Sequence, residues 1–138
     1  MAWLVDTNVF SEVRKGDRGH AGVRAWYDDV RAEDLFTSVL VVGEIRRGVE
    51  SIRRRDPDHA AALDQWLLRL RGSLEDRVLA VDGLVAERWG RLNVPDPIPA
   101  IDGLLAATAI EHDLTLVTRN ARDVVSSGAA LLDPFDLT

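Results

Sequence analysis

Short apolar runs alternate along this chain with longer stretches in which apolar residues recur every three or four positions. The runs predict five buried strands, and the longer stretches predict amphipathic helices between them. No dipeptide typical of a hairpin turn joins adjacent strands, so we expect crossover connections and a parallel sheet. The pattern predicts one α/β domain over residues 1–138, a three-layer sandwich around a central, mostly parallel sheet.

The predicted strands cover residues 2–5, 34–37, 78–81, 115–118 and 130–132. The predicted helices cover residues 9–14, 20–31, 39–55, 57–71 and 103–110, with a further helix around Val85 and Trp89 and a helical turn at 120–125. Ser38 and Asp56 are suitable N-caps, and Gly72 is the expected terminator of the fourth helix. Prolines at 95, 97 and 99 predict an extended loop before the apolar helix.

Composition narrows the class of protein. Hydrophobic residues make up 46% of the 138 residues and charged residues 29%, which is typical of a globular protein. The chain has no cysteine, so disulfides, thiolate zinc sites and thiol nucleophiles are excluded. There is no basic leader and no apolar run of about 18 residues, the length that a membrane span needs. We therefore expect a soluble cytoplasmic protein without a membrane segment.

The formal net charge of −6 weighs against simple electrostatic binding of nucleic acid, but the basic residues are clustered. Five arginines lie between residues 46 and 55, with Glu50 as the only acid among them. Arginine suits bidentate contacts with phosphates or with the carboxylates of a partner. The alternative is a solvated helix face without a ligand. From this cluster we select four candidate contacts for RNA or a protein partner: Arg46, Arg47, Arg53 and Arg54.

Polar side chains follow the predicted strands where the carboxyl ends of a parallel sheet meet. The candidate catalytic residues are Asp6, Glu44, Asp102, Asn120 and Asp123. Carboxylates that converge in this way raise one another's pKa and do not all stay ionised unless a cation is present. Oxygen-only ligands select Mg²⁺ or Mn²⁺ over zinc. The sequence predicts such a metal site, with Asp6, Glu44 and Asp102 as ligands.

Each of these residues also has a purely structural interpretation. Asp6 and Asp102 are suitable helix caps, and Glu44 has Arg47 one turn along the helix as an ion-pair partner. Asn120 and Asp123 have the spacing of an N-cap and its N3 partner. Convergence at one edge of the sheet favours the functional interpretation. The three histidines belong to no motif and are expected at the surface or at helix ends: His20, His59 and His112.

The ordered set of motifs resembles one known family over essentially the whole chain. The motifs are Leu-Val-Asp-Thr-Asn at 4–8, Glu44 followed by Gly48, Ile-Asp-Gly-Leu-Leu-Ala-Ala-Thr-Ala at 101–109 and Leu-Val-Thr-Arg-Asn-Ala-Arg-Asp at 116–123. This set resembles the PIN-domain ribonucleases, specifically the VapC-like toxins of type II toxin–antitoxin pairs.

The resemblance implies a Mg²⁺- or Mn²⁺-dependent endoribonuclease that forms a homodimer and is held inactive by a cognate VapB-like antitoxin. The family's three acids fall on Asp6, Glu44 and Asp102. Its fourth acidic position is occupied here by Asn120, and Asp123 follows three residues later. We expect phosphodiester hydrolysis by a metal-activated water that Glu44 orients or deprotonates. Three polar residues are expected to orient the carboxylates: Thr7, Asn8 and Thr118.

Other classes of function fit less well. A catalytically weak or inactive PIN-like binding domain stays open because of Asn120. A phospho-acceptor signalling domain normally needs a lysine after a late strand, and the only lysine is Lys15 in the first helix. A haloacid-type phosphatase needs a second aspartate two residues after the first, where this chain has Asn8.

Overall fold

A five-stranded parallel sheet lies at the centre of the computed structural model, which describes residues 1–136. The strands are β1 (Trp3–Val5), β2 (Leu35–Ser38), β3 (Val78–Leu79), β4 (Thr115–Val117) and β5 (Leu131–Leu132), in the order β3-β2-β1-β4-β5. In register, Trp3 pairs with Leu35 on one side and with Thr115 on the other. The predicted three-layer α/β class and parallel sheet are confirmed, and β1 is the central strand.

Helices connect all of these strands. Within residues 1–136 the α-helices are α1 (Thr7–Arg14), α2 (Ala21–Asp29), α3 (Val39–Arg53), α4 (Pro57–Leu74), α5 (Gly83–Leu92), α6 (Ala100–Glu111) and α7 (Ala121–Val124). Helices α3 and α4 pack against each other as the predicted hairpin. Over the same residues, no helix combines the length and the apolar character that crossing a bilayer requires.

Side-chain caps explain where several helices begin. The Ser38 hydroxyl accepts from the Leu40 amide at 3.0 Å, and the Asp56 carboxylate accepts from the His59 amide at 3.1 Å, as predicted. His20 caps α2 through its Nδ1, which accepts from the amides of Gly22 and Val23. The expectation that His20 is a helix-end residue is therefore confirmed.

The helix boundaries differ from the predictions at several places. Helices α2 and α3 end two residues earlier than predicted, and α6 begins three residues earlier, at Ala100. Helix α1 begins at Thr7 rather than Val9, because Asp6 caps it directly at the end of β1. Helix α4 continues through Gly72 to Leu74, so the prediction that Gly72 terminates it is wrong. Burial of Leu74, which is 4% exposed, keeps the last turn on the core, and the chain leaves the helix at Glu75, whose φ is +54°.

Helix α6 passes through the most buried part of the molecule. Its Leu105, Ala106, Ala107 and Ala109 are all 0% exposed, which confirms the prediction of a helix that is packed on most sides. The main core joins this helix to β1, whose Leu4 is also fully buried. The carboxyl end of β1 and the first turn of α6 are therefore both anchored in the core.

Replacement of Gly72 by alanine should stabilise the protein. Gly72 is exposed inside α4, and a Cβ added there meets no atom within 4 Å. Because glycine costs about 1 kcal/mol relative to alanine in a helix interior, we expect the melting temperature to rise by roughly 4 °C. Thermal unfolding followed by circular dichroism measures this shift.

The matched control is the same substitution at Gly19. A Cβ at Gly19 would lie 2.2 Å from the backbone carbonyl oxygen of Glu12, which has no flexible end to move aside. Gly19→Ala should therefore lower the melting temperature. A Gly72→Ala protein that melts at or below the wild-type temperature would contradict the prediction.

Candidate functional site

Asp6 lies at the carboxyl end of the central strand and is only 4% exposed. Its Oδ1 accepts a hydrogen bond from the Thr7 amide at 2.7 Å, so the carboxylate caps α1. Its Oδ2 accepts from the Thr118 hydroxyl, also at 2.7 Å. Asp6 is thus a helix cap, as the structural interpretation proposed, and at the same time a buried carboxylate at the predicted edge of the sheet.

Further hydrogen bonds connect the Asp6 carboxylate to the segment after β4. The Asn8 amide nitrogen donates to Asp6 Oδ2 at 3.4 Å, and Asn8 Oδ1 accepts from the Arg119 backbone amide at 3.2 Å. The Thr118 hydroxyl in turn accepts from the Asn120 amide at 3.0 Å. These bonds fix the orientation of the Asp6 carboxylate through residues that are far apart in sequence.

Glu44 reaches the same edge from α3. Its Oε1 accepts a hydrogen bond from the Thr7 hydroxyl at 2.7 Å, and its side chain is half-buried. Among residues 1–136 Glu44 has no ion-pair partner, so the alternative of a Glu44–Arg47 pair is wrong. Thr7 therefore contacts both acids: its amide binds Asp6, and its hydroxyl binds Glu44.

Asp102 lies in the first turn of α6 and faces the residues after β4. Its Oδ1 accepts a long hydrogen bond, 3.5 Å, from the side-chain amide of Asn120. The Asn120 side chain makes no capping bond to α7, so the interpretation of Asn120 as a side-chain N-cap is wrong. Asp123 is exposed on α7, close enough to Asp102 to affect its pKa.

The electrostatics join these acids into one group. Burial is the main factor that raises the pKa of Asp6, and the negative charges of Glu44 and Asp102 raise it further. Burial likewise raises the pKa of Asp102, with contributions from Asp123 and Glu44. In the described part of the chain, none of these four carboxylates forms an ion pair. The protein therefore supplies negative charge here without a compensating cation of its own.

This donor set fits a hard divalent cation in its chemistry. All the side chains are oxygen donors, and a bound cation would relieve their mutual repulsion. As the side chains are placed, no three His, Cys, Asp or Glu residues between 1 and 136 are close enough to hold a metal together. Mg²⁺ usually binds through one or two carboxylates and keeps several water molecules, so it does not need three side-chain ligands.

The family of the chain is evident from comparison with known proteins. The family model described as PIN domain matches residues 3–124. The chain belongs to the PIN-domain family. It is 31% identical to Toxin FitB of Neisseria gonorrhoeae over 96% of this chain and 97% of that protein. It is 35% identical to Ribonuclease VapC14 of Mycobacterium tuberculosis over 59% of this chain and 71% of that protein.

Solved structures agree with this assignment. The crystal structure of FitAcB from Neisseria gonorrhoeae contains a chain that superposes on this PIN domain with a TM-score of 0.90. The two chains are 30% identical, and the match covers 98% of this chain and 99% of that one. The predicted resemblance to PIN-domain, VapC-like toxins is confirmed.

The predicted arginine contacts of this PIN domain divide into two kinds. Arg46 and Arg53 are bound to Glu50 and to Asp64 of α4, with Arg53 donating to both carboxylates at 2.8–3.0 Å. These hydrogen bonds lower the pKa of Glu50 to about 2. Within residues 1–136, the exposed Arg47 and Arg54 have no ion-pair partner. Of the four predicted contacts, only Arg47 and Arg54 have a guanidinium that is not already paired with a carboxylate in the described residues.

Sequence reasoning missed one part of the PIN domain's surface. A cavity beside Glu44 and Thr7 is also lined by Ser11, Arg14 and Trp66. Ser11 and Arg14 follow Thr7 at i+4 and i+7, so the three lie on one face of α1. That spacing is a signal that the sequence did contain.

His59 and His112 are exposed, as predicted.

The raised pKa of Asp102 leads to a prediction about stability. When a carboxyl has a higher pKa in the folded than in the unfolded state, the protein loses stability as the pH rises from the unfolded pKa to the folded one. Above that window the ionised group destabilises the fold, and below it the penalty is absent. Asp102→Asn should therefore raise the melting temperature at neutral pH in EDTA, and this gain should disappear as the pH falls through the acidic range.

Thermal unfolding of both proteins across a pH series measures the difference. The matched control is Asp28→Asn, an exposed aspartate on α2. The assignment of a raised pKa is wrong if the gain in melting temperature of Asp102→Asn grows as the pH falls. It is also wrong if this gain equals that of Asp28→Asn at every pH.

Proposed function

We infer that this PIN domain is a Mg²⁺- or Mn²⁺-dependent endoribonuclease that acts as the toxin of a toxin–antitoxin pair. The observation that carries the proposal is the group of unpaired acids at the carboxyl edge of the sheet, with Asp6 buried and oriented by Thr7 and Thr118. Similarity to proteins named toxin and ribonuclease supports the class of reaction.

The residues have distinct roles in the proposed reaction. Asp6 and Asp102 would hold the cation. A bound Mg²⁺ would polarise the scissile phosphate and make a water molecule more acidic. Glu44, which the Thr7 hydroxyl holds in place, orients this water and accepts its proton. Attack by water on phosphorus, with departure of the 3′ oxygen, leaves a 5′-phosphate and a 3′-hydroxyl.

An antitoxin is the proposed protein partner. The solved structures similar to this chain include one titled as FitAB bound to a DNA fragment. The matched chain is 28% identical to this one, with a TM-score of 0.88, and the match covers 99% of this chain and 97% of that one. We propose that a cognate VapB-like antitoxin binds this chain and blocks the acids. The homodimer stays a prediction.

Cleavage of total RNA tests the proposed reaction. The purified protein should cut RNA in Mg²⁺ or Mn²⁺, should stop in EDTA and should recover when the metal is restored in excess. Sequencing of the cut ends should find 5′-phosphates. Cleavage that continues in EDTA, or products with 2′,3′-cyclic phosphate ends, would contradict a metal-activated water.

The Thr118 hydroxyl should support metal binding although it is not itself a ligand. Thr118→Val keeps the side-chain shape but removes the donor to Asp6 and the acceptor for the Asn120 amide. Loss of a residue that orients a metal ligand typically costs about 10- to 100-fold in metal affinity. Calorimetric titration with Mn²⁺ measures this change. Thr118→Ser, which keeps the hydroxyl, should bind nearly as well as wild type, and equal loss in both variants would contradict the role of the hydroxyl.

A second candidate function is a PIN-like domain that binds its partner without cutting RNA. It is favoured by Asn120, which presents an amide rather than a carboxylate to Asp102. The two functions differ in metal binding. Calorimetry that detects no Mn²⁺ binding to the folded wild-type protein would favour the inactive domain.

A further inference from the structure

A groove that includes Glu44 lies on the surface between α1 and the α3–α4 hairpin. It has a volume of about 200 Å³ and is open to solvent. One wall is polar and consists of Thr7, Ser11 and Arg14 of α1. The opposite wall is apolar and includes Trp66, next to the small apolar cluster that joins α3 to α4. Because Thr7 and Glu44 also belong to the groove, it is continuous with the proposed catalytic site.

Arg14 is the cation of this groove. Arg14 is half-buried, and it forms no ion pair with any of residues 1–136. It therefore differs from Arg46 and Arg53, which already bind Glu50 and Asp64. Arg14 lies on the same face of α1 as Thr7, two turns further along the helix. A guanidinium that is partly buried and has no ion-pair partner is suited to bind a phosphate.

The apolar wall offers a surface for a base. Trp66 is half-buried and lines the groove, and a Cβ at Gly48 would meet nothing within 4 Å. Proteins that bind single strands combine a cation for the backbone with an aromatic side chain on which a base stacks. The groove contains both groups, and Glu44 is part of its lining.

We propose that this groove holds a nucleotide of single-stranded RNA beside the bond to be cut, with its phosphate on Arg14 and its base against Trp66. The proposal rests on the proposed ribonuclease function. An apolar protein helix is the other occupant to consider, but it would leave the guanidinium of Arg14 on the polar wall without a partner. The unpaired Arg14 in a groove that also contains Glu44 favours RNA, because a strand that is bound at Glu44 and extends along the groove brings a phosphate to Arg14.

Salt-dependent RNA binding tests the proposal. The probe is a fluorescein-labelled, mixed-sequence, single-stranded RNA, with affinity measured by fluorescence anisotropy in Ca²⁺ and the intactness of the RNA checked on a gel. Arg14→Gln should weaken binding about tenfold or more. It should also reduce the slope of log affinity against log salt concentration by about 0.7, the amount expected for one phosphate contact on a single strand. Arg14→Lys should keep the wild-type slope.

The second arm concerns the base. Trp66→Leu keeps an apolar side chain but removes the stacking surface, and it should weaken binding about fivefold or more without a change in the salt slope. Trp66→Phe should restore most of the affinity. The matched control is Arg91→Gln, which removes an exposed cation from the last turn of α5 and should change neither affinity nor slope.

Failure of this proposal is distinguishable from failure of the proposed function. If RNA is cut in Mg²⁺ but Arg14→Gln and Arg91→Gln bind RNA like wild type, the nucleotide site is wrong and the nuclease stands. If RNA binds with the expected slopes but is not cut in any metal, the nuclease is wrong and the groove stands. The nucleotide site is also wrong if the wild-type protein does not bind the RNA at all. It is equally wrong if Arg14→Gln and Trp66→Leu weaken the binding of a protein partner but leave RNA binding unchanged.

Discussion

Asp6→Asn should reduce the rate of RNA cleavage in Mg²⁺ by about 100- to 1,000-fold. A Lewis-acid cation contributes several kcal/mol of charge stabilisation in the transition state, and each 1.36 kcal/mol corresponds to a factor of ten. Asp6 is the most buried of the acids and is bound by the Thr7 amide and the Thr118 hydroxyl. An amide at this position removes the charge that would hold the cation. Initial rates on a defined RNA measure the effect.

The same experiment separates loss of chemistry from loss of fold. Asp28→Asn is the control, because that aspartate is exposed on α2 and contacts none of the acids. The melting temperature and the circular dichroism spectrum report whether the Asp6 variant is folded. If the double variant of Asp6→Asn and Asp102→Asn is folded and cuts RNA as fast as wild type in Mg²⁺, the proposed mechanism is wrong.

Glu44→Gln should lower the maximal rate by about 100-fold or more while metal binding persists. General-base catalysis contributes roughly 10²- to 10⁴-fold, and glutamine does not accept the proton of the attacking water. The glutamine oxygen still accepts a hydrogen bond from the Thr7 hydroxyl, so the local structure is kept. Single-turnover rates at saturating protein measure the chemical step, and calorimetry with Mn²⁺ measures metal binding.

The control for this substitution is Glu87→Gln on the exposed face of α5. It should cut RNA at the wild-type rate. A Glu44→Gln variant that loses Mn²⁺ binding together with activity would make Glu44 a metal ligand rather than the base. A variant with full activity would remove Glu44 from the mechanism.

The sequence predicted the parallel sheet and the succession of strands and helices, because these depend on patterns that are local. A strand that ends in an acid, as β1 does at Asp6, is visible without coordinates. Convergence at one edge follows from the parallel arrangement of the strands. The family motifs pointed to the same residues, and the match of the PIN-domain model confirms the family.

The parts that the sequence did not predict depend on contacts between distant residues. The hydrogen bond from Thr7 to Glu44 spans 37 positions, and no spacing rule indicates that it replaces an ion pair with Arg47. Gly72 was expected to end α4, but burial of Leu74 outweighs the preference of glycine for helix ends. Asn120 fits the spacing of a cap, yet its amide turns to Asp102.

The contact between Thr118 and Asp6 has a consequence for biosynthesis. The two residues are 112 positions apart, and β4 pairs directly with the central strand that delivers Asp6. A nascent polypeptide that has been translated only through α6 already contains Asp6, Glu44 and Asp102, but it lacks the strand and the hydroxyl that orient the first of them. Assembly of the acidic centre therefore waits until β4 and Thr118 have been translated.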